Sequence, residues 1–79
     1  MATKSNGGEV TGTDDQEYNV IWFTEACMNN ALRLQQYIQD AQKTGNAQLA
    51  EFFQKAQAES RKGAELGKEM LRTMLGTKQ

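Results

Sequence analysis

The sequence predicts an all-α fold: an antiparallel two-helix hairpin, expected to dimerise into a four-helix bundle. Three observations predict it. Capping residues bracket two long stretches, with a glycine and an asparagine between them, and no proline interrupts either. Each stretch repeats its apolar residues at helical spacing, and it does so on more than one face.

Residues 1–12 carry three glycines and almost no apolar side chain, which reads as a flexible tail ahead of a single helical domain over 13–76. The character changes at TDDQ, residues 13 to 16. Thr13 and Gln16 fit a capping box, the Thr13 hydroxyl accepting from the Gln16 amide while Gln16 reaches back. Asp14, Asp15 and Glu17 place negative charge at the positive end of the helix dipole. A first helix is therefore expected over 14–43.

KTGN, residues 43 to 46, ends it. Lys43 suits a helix C-terminus, Gly45 accommodates the left-handed conformation that stops a helix, and Asn46 caps the next one. The turn is placed at 44–46 and a second helix at 47–75, with Gly76 ending it and 77–79 as a tail. Each helix is then roughly 28 to 30 residues, about 42 to 45 Å at 1.5 Å per residue. So short a link forces the two antiparallel.

Placed at 100° intervals, Val20, Phe23, Cys27, Ala31, Leu34, Ile38 and Ala41 form one stripe on the first helix. Ile21, Met28 and Leu32 widen it on one flank, with Glu25 beside them. The second helix has two adjacent stripes. One holds Phe52, Ala56, Glu59, Gly63, Leu66 and Met70; the other holds Phe53, Ser60, Ala64, Gly67, Leu71 and Met74. Two stripes are more than one neighbouring helix covers, so a second hairpin is expected on the other. Phe23, Cys27, Phe52, Ala56, Gly63, Leu66, Gly67 and Met70 are the expected interface residues. Gly63 and Gly67, each costing about 1 kcal/mol against alanine in a helix, read as sites of close backbone approach.

Composition narrows the function. A chain of 79 residues holds one small domain, which usually needs a staple or a partner. One cysteine excludes an intramolecular disulfide, and zero histidines exclude the common zinc patterns. That leaves a homodimer, or a higher oligomer, as the source of further burial. Nine basic and ten acidic residues, interspersed, point away from nucleic acid. No apolar run of membrane-spanning length and no signal-peptide pattern is present, so a cytoplasmic setting is expected. No hydrolase, transferase or nucleic-acid motif stands out, and the chain reads as a non-enzyme.

The stretch EFFQKAQAESRK carries a resemblance. Phe52, Ala56 and Glu59 follow an F-x3-A-x2-E-x2-H pattern with Lys62 at the histidine position, and FTEACMNNA surrounds Glu25 on the preceding helix. Over residues 17–75 the chain resembles the ferritin-like, rubrerythrin-like proteins, as a single helix pair. The resemblance implies half of a ferritin-like bundle, completed by dimerisation, with Glu25 and Glu59 in the positions of carboxylate ligands to a dinuclear iron site. Lys62 departs from the pattern: a cationic ammonium has three donors and no acceptor for a metal.

Three outcomes stay open around these residues. A divalent cation, iron or manganese, bridges the carboxylates across a dimer; Lys62 replaces the cation in an internal ion-pair network; or Glu59 and Lys62 form a solvated surface pair. Cys27 and the methionines read as packing, and Tyr18 with Trp22 as an exposed patch. Glu51 with Lys55 and Arg61 with Glu65 are expected as solvated-face pairs. The leading functional expectation is a non-catalytic, self-associating ferritin-like module that has lost iron chemistry, with no cofactor. The alternatives are a metal-binding or oxidase-like protein with its site assembled across a dimer, and a small adaptor for a larger protein partner.

Overall fold

A computed structural model describes residues 15–76, which form two helices, α1 (Gln16–Lys43) and α2 (Ala47–Gly76), packed against each other. The tails expected at 1–12 and 77–79 lie outside the described residues, as do Thr13 and Asp14. Partners along the pair run in opposite order. Thr24 lies against Gly67, Cys27 against Gly63, Asn30 bonds Ser60, and Tyr37 meets Phe53. The hairpin is antiparallel.

The helix begins later than its expected start at 14, because Asp15 is the residue that caps it. Asp15 is extended (φ −75°, ψ 98°), and its carboxylate accepts from the Tyr18 amide at 3.1 Å. A carboxylate at this position combines a hydrogen-bond acceptor with a full charge facing the helix dipole, which a threonine hydroxyl does not. Glu17 adds acidity in the first turn.

The link forms a Schellman motif. Gly45 takes φ +75°, its amide donates to the Gln42 carbonyl at 3.0 Å, and the Asn46 amide donates to the Ala41 carbonyl at 2.9 Å. The Asn46 side chain then accepts from the Leu49 amide at 3.1 Å, so one residue closes the first helix and caps the second. α2 runs through Gly76, one residue past the expected end.

The contact between the helices follows a strict alternation of three and four residues. On α1 it runs Val20, Thr24, Cys27, Ala31, Leu34, Ile38, Ala41; on α2 it runs Ala50, Phe53, Gln57, Ser60, Ala64, Gly67, Leu71, Met74. Every one of these is buried or half-buried. The mean spacing of 3.5 is that of a coiled-coil seam. Phe23, expected in the α1 stripe, is 53% exposed, and Thr24 takes its place.

Small residues at one end of the seam set the distance there. A β-carbon built on Gly67 overlaps the Thr24 hydroxyl, and one on Gly63 stands 2.8 Å from Cys27 Sγ. The glycines spend helix propensity on this approach. Thr24 donates its hydroxyl to the Val20 carbonyl at 2.7 Å, which satisfies a buried polar group inside its own helix. Gln57, only 7% exposed, donates from Nε2 to the Ala31 carbonyl at 2.9 Å and to Gln35 Oε1 at 3.1 Å. A one-turn slip of the helices breaks both bonds, so Gln57 pins the register.

Candidate interaction surface

The seam covers Leu34, Ile38, Phe53, Leu71 and Met74 and leaves other bulky apolar side chains outside it. Among the described residues no side chain is fully buried, while Phe23, Phe52, Leu66, Met70, Met28, Leu32 and Trp22 are all substantially exposed. Helical position sorts them onto two flanks and an outer side.

The first flank can be called the phenylalanine face. At the open end of the hairpin, Phe23, Leu66 and Met70 line a groove of about 280 Å³ together with Asn19, Val20 and Gly67. At the turn end, Tyr37, Leu49 and Phe53 line another of about 350 Å³ with Asp40, Ala41 and Thr44. Phe52 packs against Phe53 there, the rings tilted by 60° with centroids 5.4 Å apart, and is 62% exposed. Between the two grooves lies a polar waist. Asn30 Nδ2 donates to Ser60 Oγ at 2.7 Å, and Glu59, one residue along, stands a heptad from both Phe52 and Leu66.

The second flank is of mixed character. Met28 and Leu32 from α1 face Arg61, Glu65 and Lys68 from α2, across a groove of about 480 Å³ that Ala31 and Ala64 floor. Lys68 pairs with Glu65 at 3.4 Å, in place of the Arg61 pair expected from spacing. The expected pair of Lys55 with Glu51 forms at 3.6 Å, with both side chains largely in solvent. Such pairs are worth a few tenths of a kcal/mol, on the order of 0.3. The outer side of α1 carries Tyr18 and Trp22, their rings 4.7 Å apart.

Glu25, Glu59 and Lys62 are all exposed. Glu25 sits a heptad from Leu32, on the mixed flank's outer edge, whereas Glu59 belongs to the phenylalanine face. Lys62 lies two residues from both Ser60 and Ala64 of the seam, about 200° round the helix, and so points to solvent. No ion pair joins it to Glu59 among the described residues. One chain therefore does not bring the implied ligand set together. Among the described residues, no group of three or more His, Cys, Asp or Glu side chains gathers to hold a metal. The donor set of a single hairpin does not fit a dinuclear iron site.

Of the expected interface residues, Cys27 and Gly67 belong to the intrachain seam, with Gly63 at its edge. Phe23, Phe52, Leu66 and Met70 stay outside it, with Ala56 half-buried between Phe52 and Glu59. Thr24, Gln57 and the Asn30 partner of Ser60 escape a search for apolar stripes, because all three side chains are polar. The three–four spacing is the signal that finds the first two. No described helix is long and apolar enough to cross a membrane. The chain matches no family model, no curated protein and no solved structure.

Proposed function

We propose that this chain is a non-catalytic, self-associating helical module, whose phenylalanine face binds a second copy to complete a four-helix bundle of ferritin-like architecture. One observation carries the reading: four large apolar side chains lie together on the phenylalanine face, outside the intrachain seam. Phe23, Phe52, Leu66 and Met70 are each more than half exposed. The face carries Glu59 at its waist and Asp40 at the rim of the turn-end groove, whereas the opposite flank has Arg61, Glu65 and Lys68 around one groove.

Size agrees with this. A face about 45 Å long and two helices wide, about 20 Å, presents roughly 900 Å². A standard stable interface takes about 800 Å² from each partner. A domain of this size, with so narrow a seam, reaches only about 3–5 kcal/mol from a single core, which favours a fold completed by association. The iron chemistry is absent from the proposal because Glu25 and Glu59 lie on different flanks.

Native mass spectrometry with elemental analysis on the same sample tests the proposal. The expected result is a dimer carrying no stoichiometric metal. A monodisperse monomer at micromolar concentration refutes it. Stoichiometric iron or manganese that disappears in both Glu25→Ala and Glu59→Ala establishes the metal-binding reading instead. The stacked pair of Tyr18 and Trp22, off both flanks, favours a second reading as an adaptor for a larger protein. Loss of a co-purifying protein in Trp22→Ala, with the dimer intact, is the result that selects it.

A further inference from the structure

We infer that the two copies pair with their turns at the same end of the bundle, each Asn30 amide donating to the partner subunit's Glu59. The inference rests on the self-association reading and adds the orientation and the polar contact at its centre.

Two orientations of a two-fold dimer keep all neighbouring helices antiparallel. With the turns at opposite ends, α2 lies on the partner's α2 and α1 on its α1. The waist lies near the middle of both helices, so this arrangement sets Glu59 against Glu59 and Asn30 against Asn30. Nothing on the face offsets two facing carboxylates, since Lys62 points to solvent and Arg61 lies on the mixed flank. With the turns at the same end, α1 lies on the partner's α2 at the level it already shares with its own α2. Glu59 then meets Asn30.

The amide has the capacity for this. Asn30 Nδ2 carries two hydrogens, and Ser60 Oγ takes one of them. The second is available to a carboxylate, and a hydrogen bond to a charged acceptor is the stronger kind. The apolar groups match in the same arrangement. Phe23 reaches the partner subunit's Leu66 and Met70, and Tyr37 reaches its Phe52. The polar waist thereby selects orientation, as one buried polar position does in a coiled coil.

Spin labels at Gln48→Cys in a Cys27→Ala background read the orientation directly, by pulsed dipolar spectroscopy. Gln48 is exposed, next to the turn and twelve residues from the waist. Turns together give an inter-label distance of about 20–25 Å, the width of the bundle; turns apart give more than about 36 Å, from the rise per residue. Sedimentation of Glu59→Gln supplies the second measurement. Loss of two charge-assisted bonds raises the dissociation constant about tenfold if Asn30 is the partner, whereas relief of a carboxylate pair lowers it.

A short distance together with a weaker Glu59→Gln dimer supports the inference. A long distance, or a tighter Glu59→Gln dimer, overturns it. A short distance with Glu59→Gln silent overturns the Asn30 contact while leaving self-association standing. No dipolar signal at any concentration overturns both.

Discussion

Replacing Gly67 by alanine is expected to destabilise the hairpin by about 1–3 kcal/mol, although alanine is the better helix former by about 1 kcal/mol. The cost comes from Thr24. A β-carbon at position 67 overlaps the Thr24 hydroxyl and lies 3.0 Å from its Cβ, so rotation of one small group does not clear it. Overpacking of this kind costs about 1–3 kcal/mol. Turning the hydroxyl aside breaks its 2.7 Å bond to the Val20 carbonyl, worth about 1 kcal/mol. Subtracting the propensity gain leaves the stated net loss.

A double-mutant cycle isolates the contact. Thr24→Ala alone opens a gap, whereas Thr24→Ala with Gly67→Ala fills it, so the two substitutions should compensate with a coupling of about 1–2 kcal/mol. Urea unfolding followed by circular dichroism at one fixed protein concentration measures it, since the proposed association makes the midpoint concentration-dependent. Additive effects, or a stabilised Gly67→Ala, refute the close approach of the helices at this level. Gly63→Ala is the internal control: its nearest neighbour is the rotatable Cys27 Sγ at 2.8 Å, and propensity and repacking should nearly cancel.

Three further outcomes follow from the same geometry. Gly45→Ala, forced into φ +75°, should cost about 1 kcal/mol in urea unfolding while leaving helix content intact; an unchanged midpoint contradicts the Schellman geometry. Gln57→Leu should keep stability within about 1 kcal/mol but release the register, seen as more than one set of amide resonances; one set of peaks at full stability removes the register role. Leu66→Glu should weaken the proposed dimer about 30-fold or more, because roughly 1 kcal/mol of burial is lost at each of two symmetry-related sites. Leu32→Glu, on the other flank, should leave sedimentation unchanged, and the reverse pattern assigns the interface to Met28 and Leu32.

Both helices and their link were legible because the chemistry that delimits them is local. Gly45 and Asn46 act within a few residues of themselves, and no proline competes with them. The start of α1 was less so. Thr13, Asp14 and Asp15 are all acceptors in a row, and only the backbone conformation selects among them. The seam departs from the apolar stripe at Phe23 because an apolar-stripe search follows residue type. The contact follows backbone distance, and where the helices come closest a threonine facing a glycine fits and a phenylalanine does not. The buried Gln57 was invisible for the same reason: its two acceptors come from α1, 22 and 26 residues away along the chain. Glu25 and Glu59 were grouped through a resemblance that compares positions along helices. Once the true seam is known, they fall on opposite sides of it.

The stacked pair on the outside of α1 has a practical consequence. Trp22 is the sole tryptophan, and it lies two residues from both Val20 and Thr24, about 200° round the helix from the seam. Its emission therefore senses neither the hairpin's interior nor the proposed bundle contact. It should keep the red-shifted, quenchable spectrum of a wetted indole through assembly. A blue shift on adding another molecule then reports contact at the outer side of α1, which gives the folded protein a built-in optical probe for visitors other than itself.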